Sequence, residues 1–132
     1  SVHGSPRKPI WEYLLYPDVA KENFRHFQTS FCLVGHTHMP VIFQDLPESD
    51  RCAMGQPPVN EPFRLREGRY ILNPGSVGQP RDGDPRAACL LIDTETLVFE
   101  HRRIPYDIEE TQRLMREAKL PHRLSARLEL GW

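Results

Sequence analysis

The sequence predicts an α/β chain, and three stretches carry the prediction. Residues 31–34 are an apolar run closed off by Gly35 and Pro40, too short for a helix and read as a buried strand. Residues 87–92 and 97–101 flank Asp93, Thr94, Glu95 and Thr96, the pattern of a hairpin. Residues 107–119 place Ile108, Leu114, Met115 and Ala118 on one stripe, with Asp107 and Glu110 at the spacing of a capping box, so they read as a helix whose other face is Glu, Gln and Arg.

The remaining elements follow in chain order. His3, Gly4, Ser5 and Pro6 are turn chemistry with no element before them. Residues 10–15 are apolar and aromatic except for Glu12 and read as one or two helical turns, ended by Tyr16 and Pro17. Asp18 can cap a helix running to about Gln28, in which Ala20, Phe24 and Phe27 form a stripe. Residues 41–43 read as a second strand returning beside the first. Residues 45–62 hold four prolines among polar residues and read as an exposed loop. Residues 63–66 alternate, Glu67 and Gly68 turn, and residues 70–72 are strand-like, which suggests another hairpin. Residues 73–85 are almost all turn formers, the kind of loop on which sites are built. The arm 87–92 looks buried on both faces, whereas 97–101 alternates. After Pro121 a short terminal helix carries Leu124, Leu128 and Leu130, with Gly131 past its end.

The chemistry concentrates at the end of the first strand. Gly35-His36-Thr37-His38 puts two histidines one residue apart, and in extended backbone such residues leave the same face, so both imidazoles can enter one pocket. That is metal-ligand spacing, although a pair of surface histidines fits this motif as well. His26, His101 and His122 have no such context and read as solvated or packing residues.

Composition sets the bounds. At 132 residues the chain is one domain or part of one. A net charge of −1 gives no field to hold a polyanion, which argues against bulk nucleic-acid binding. Cys32, Cys52 and Cys89 are widely spaced and odd in number, and read as buried thiols in a reducing compartment rather than as a disulfide framework. No stretch approaches a membrane span and no signal-peptide pattern opens the chain, so a cytoplasmic protein is expected.

Gly35-His36-Thr37-His38 resembles the last signature of the calcineurin-like metallophosphoesterases, and His3-Gly4-Ser5-Pro6 resembles the histidine signature that precedes it. The run from Asn73 to Asp82 is similar to a loop of small prokaryotic members, of phosphodiesterase or phosphatase type. The resemblance implies a layered α-β-β-α sandwich in which this chain supplies one of the two packed sheets. It also implies a dinuclear centre in which His3 and His36 bind one metal and His38 the other. Neutral imidazoles suit Mn, Zn, Fe or Ni, and two such ions about 3.5–4 Å apart can hold a hydroxide and clamp the phosphoryl oxygens of an in-line displacement. Arg7 and Arg81 could add positive charge for a phosphoester substrate, a diester rather than a monoester, or be solvated loop arginines.

The departure from the family is large. Its other ligands come from Asp-X-His, Gly-Asp-X-X-Asp and Gly-Asn-His signatures, and no Asp-X-His triplet occurs in this chain. Residues 1–132 are therefore expected to be the C-terminal part of one domain, inactive alone, with the missing N-terminal half as its partner and some apolar surface left uncovered. A metallo-β-lactamase-type hydrolase would need an Asp where Pro40 stands. The alternative is a non-catalytic fragment holding one zinc through the three histidines, with Cys32 as a further ligand.

Overall fold

A computed structural model describes all residues, Ser1–Trp132. Helix α1 (Pro17–Asn23) is followed by strands β1 (Phe31–Leu33), β2 (Pro40–Leu46), β3 (Arg51–Gly55), β4 (Pro62–Arg64), β5 (Tyr70–Pro74), β6 (Ala87–Asp93) and β7 (Val98–Ile104), then by helices α2 (Ile108–Glu117) and α3 (His122–Ala126). The strands form two sheets, one of order β1-β5-β2-β3 and one of order β4-β7-β6. The chain is an α/β sandwich, and it contributes strands to both sheets rather than to one.

Strand alternation sorts the core into two layers. Cys32, Val34, Val41, Phe43 and Ile71 leave one face of the larger sheet and pack with Leu14, Ala20 and Phe24 of the α1 region. Phe31, Leu33, Ile42, Tyr70 and Leu72 leave the opposite face and meet Phe99, Phe63, Leu90 and Ile92 of the smaller sheet. Phe99 is 1% exposed at the centre of this second layer. It stands edge-on to Phe31 at 5.5 Å and stacks on Phe63 at 5.6 Å.

Several expectations are corrected. Residues 10–15 form no helix: Glu12 turns inward while Trp11 and Tyr13 point out, the alternation of extended backbone. The next helix begins at Pro17 with Tyr16 as its uncapped N-cap, so Asp18 sits in the first turn; after Asn23 it tightens into a 3-10 turn over Phe24–His26. The presumed loop 45–62 contains β3, which pairs antiparallel with β2. Residues 63 and 70 do not share a hairpin, because β4 pairs with β7 and β5 runs parallel to β1. That places β5 between β1 and β2, which are not neighbours. Strand β6 is an edge strand with Leu91 45% exposed, not an arm buried on both faces.

Asp107 caps α2 by accepting from the Glu110 amide at 2.8 Å. The buried residue of that helix is Gln112, from the face read as polar, whose Nε2 donates to the Ser125 carbonyl of α3 at 3.0 Å; Leu114 is half exposed. All three cysteines are free thiols, but only Cys32 is buried; Cys52 and Cys89 are partly exposed. No helix is long and apolar enough to cross a membrane.

His101, on β7, is buried to 1% exposure. Its Nε2–H donates to the Pro74 carbonyl at 3.0 Å, leaving a buried Nδ1 with no partner to receive a second proton. Burial holds its pKa below the ordinary histidine value, and the Arg103 charge works in the same direction. As pH falls through about 6.5 the unfolded chain takes up a proton that the folded chain refuses, so the unfolded state binds more protons and stability falls with pH. Urea midpoints should be lower at pH 5.5 than at pH 7.5. In His101→Gln, which keeps a donor for Pro74, that dependence should shrink; an unchanged slope would place the titration elsewhere.

Candidate metal centre

Backbone pairing brings His3 to the end of β1. The opening residues run alongside that strand, with Val2 N–H donating to the Leu33 carbonyl at 3.0 Å and Gly35 N–H to the His3 carbonyl at 2.9 Å. Gly4 closes the loop behind it, donating to the Pro9 carbonyl at 2.6 Å, and a Cβ on Gly4 would lie 2.9 Å from the Lys8 carbonyl oxygen. His3 Nε2 and His36 Nδ1 are 2.8 Å apart, so one ring donates and the other presents its lone pair.

The two histidines of the turn do not reach the site by strand alternation. His36 and His38 both have positive φ, 65° and 61°, so the backbone coils left-handed instead of extending, and Thr37 between them is buried. Such conformations are rare for residues with a Cβ and persist where surroundings enforce them. Here the enforcement comes from Asn73 at the end of β5. It is 1% exposed, and its Nδ2 donates to the Gly35 carbonyl at 2.7 Å and to Thr37 Oγ1 at 2.8 Å. Its Oδ1 accepts from Gly75 N–H at 3.0 Å, where φ is 91° and a Cβ would strike Pro40.

The 73–85 loop also sets the His38 ring. A carbonyl can only accept, so His38 donates Nδ1–H to Gln79 O at 2.7 Å and, when neutral, keeps its Nε2 lone pair free. Metal-binding histidines are typically oriented in this way by a second partner. Arg81 donates its amide N–H to the His38 carbonyl at 3.2 Å and its guanidinium to Gln79 Oε1 at 3.0 Å. Its charge lies near enough to lower the pKa of both His36 and His38, after burial as the main cause in each. The loop is anchored from the other sheet by Arg103, buried on β7, which pairs with Asp82 and donates to the Arg86 carbonyl at 3.3 Å.

Arg7 is placed differently from Arg81. Its guanidinium is bound to Glu12, whose carboxylate also accepts from Ser5 and Asn23. Cys32 is buried, with its thiol pKa pushed up by burial and its Sγ directed at the Leu33 carbonyl. No group of three or more His, Cys, Asp or Glu side chains is arranged to hold a metal ion, His3, His36, His38 and Cys32 included. Sequence reading reached Asn73 and Gln79 only as members of a loop suited to a site and missed Glu12 and Arg103, since nothing in the pattern of polar residues says which face inward.

No family model matches the chain. Against the crystal structure of a metallophosphoesterase from Sphaerobacter thermophilus, 99% of this chain aligns with a TM-score of 0.91 and 45% identity, over 54% of that chain. The chain has the fold of the C-terminal half of a metallophosphoesterase. An uncharacterized protein of Methanocaldococcus jannaschii is 34% identical over 130 residues, which is 98% of this chain and 50% of that protein. A hypothetical protein of Pyrococcus horikoshii OT3, 21% identical with a TM-score of 0.62 over 99% of this chain and 45% of that one, shares the fold. The chain thus spans about half the length of the metallophosphoesterase and of the other relatives it matches.

Proposed function

We propose that this chain is the histidine-bearing half of a metal-dependent phosphoester hydrolase, with His3 and His36 as ligands of one metal and His38 of a second. The observation that carries the reading is His38: its Nδ1–H is committed to the Gln79 carbonyl, which leaves Nε2 free to act as a ligand nitrogen. Two divalent ions at such a site, Mn, Zn, Fe or Ni, supply Lewis acidity toward a phosphoryl oxygen. What the chain's own residues do is orient three imidazoles and keep His36 and His38 neutral. Burial and the Arg81 charge keep His36 and His38 below the ordinary histidine pKa, so both are unprotonated and able to ligate at neutral pH. Arg81 is the candidate phosphate contact, whereas the charge of Arg7 is taken up by Glu12.

Three imidazoles are too few for two ions, and the relatives are about twice as long. In our reading the remaining ligands lie in an N-terminal half of the same domain, which would also cover Trp11 and Ile10, 78% and 58% exposed. The substrate is a small phosphoester, a diester before a monoester.

The test uses protein of the relatives' length, assayed against bis-p-nitrophenyl phosphate and p-nitrophenyl phosphate with each metal in turn. Turnover that needs metal and disappears on chelation is expected; turnover that survives chelation would defeat the reading. The 132-residue chain alone should bind zinc at most weakly, at one site, without turnover, and two tight sites with turnover would show that these residues already contain the missing ligands.

A further inference from the structure

Glu12 makes no contact with the three histidines, yet all its hydrogen bonds go to what holds two of them. Its Oε2 accepts from Ser5 Oγ at 2.7 Å and Asn23 Nδ2 at 2.8 Å, and its Oε1 from the Arg7 guanidinium. Ser5 and Arg7 belong to the loop that carries His3, which closes through Lys8 N–H donating to Ser5 Oγ at 3.0 Å. Asn23 is 0% exposed at the end of α1, where its Nδ2 also donates to the Val19 carbonyl and its Oδ1 accepts from the Arg7 amide at 2.8 Å. The carboxylate therefore fastens the His3 loop to the helix. Because it points inward from extended backbone, its neighbours point outward and onto His36: the Tyr13 ring lies 4.2 Å from the imidazole centre and the Trp11 ring 6.4 Å.

We infer that Glu12 is a positioning residue for the His3–His36 pair, fixing His3 through Ser5 and Arg7 and His36 through the aromatic rings on either side of it in sequence. The role requires the ionised form, since three donors converge on the carboxylate and a carboxamide would turn an NH2 toward one of them. The Arg7 bond pulls the Glu12 pKa down to about 2, with smaller help from Asn23 and Ser5, so the carboxylate is charged at neutral pH. His38 is held independently, by Gln79.

Glu12→Gln in the metal-free 132-residue chain provides the test, read by long-range 1H–15N correlation of the imidazoles at pH 7.5. The wild type is expected to hold His3 and His36 each in one tautomer, the two complementary across their 2.8 Å contact. In Glu12→Gln both rings should average between tautomers while His38 stays locked to Gln79. Zinc affinity, measured by competition with a chromophoric chelator, should fall about tenfold. Locked rings and unchanged affinity in the variant would overturn the inference; so would His38 loosening as much as the other two, since that is general destabilisation. Should Glu12→Gln not fold, Ser5→Ala removes a single donor and should give the same selective pattern in weaker form. Only the zinc arm rests on the proposed function. That function is tested by metal-dependent turnover in protein of the relatives' length, and where the wild-type chain binds no zinc the imidazole spectra decide the role of Glu12.

Discussion

His36→Ala should lower zinc affinity by at least about tenfold, the scale seen for perturbing even the outer partners of a metal site, and abolish most phosphoesterase activity in protein of the relatives' length. The residue offers a ring nitrogen to the site and little to the core: it is half-buried at the end of β1, and the packing beneath it belongs to Val34 and Thr37. Its backbone adds a second, separable effect. At φ 65° a Cβ is strained by about 1–2 kcal/mol, a cost that alanine retains and glycine does not. His36→Gly should therefore be the more stable of the two variants in urea while binding zinc no better than His36→Ala. Unchanged zinc affinity in both variants would remove His36 from the ligand set; equal stability of both would mean that the turn relaxes once the imidazole is gone.

What sequence could reach, and what it could not, divides along one physical line. Patterns local in the chain were legible: the apolar strand 31–33, the hairpin of β6 and β7, and the Asp107 cap of α2 each follow from neighbours within a few residues. Pairing choices were not. Phe63 and Tyr70 flank a Glu67-Gly68 turn that reads as a hairpin, but each strand is taken by a better-buried partner, β4 by Phe99 on β7 and β5 by the gap between β1 and β2. The histidines were found from their spacing, and for a reason the backbone does not support: they converge through left-handed turns, not strand alternation. The residues that shape the site, Asn73 at the turn, Gln79 at the His38 ring and Glu12 at the His3 loop, act through contacts 7 to 41 positions away, where no periodicity reports them.

The largest loss of stability should come from Phe99→Ala, about 3–5 kcal/mol. Phe99 is 1% exposed where the two sheets face each other, and its ring is held by Phe31 from the larger sheet and Phe63 from its own. Truncation removes the buried ring and leaves a cavity between layers that are each stiffened by backbone pairing, so little collapse can fill it. Against a typical total of about 5–15 kcal/mol this is about a fifth or more of the stability, and the melting temperature should drop by about 10 °C or more. Leu91→Ala on the neighbouring edge strand is the control, since that side chain is 45% exposed and should cost under about 1 kcal/mol. The loss should also reach the metal centre. Phe99 shares β7 with His101, which holds the Pro74 carbonyl, and with Arg103, which holds Asp82, so loosening this strand frees both ends of the loop that presents Gln79 to His38. Phe99→Ala should thus release the His38 tautomer lock at temperatures where the chain is still folded, while leaving the His3–His36 pair, anchored through Glu12 on the other layer, in place. A Phe99→Ala chain within 1 kcal/mol of wild type would mean that the interface between the sheets is not where the stability of this fold resides.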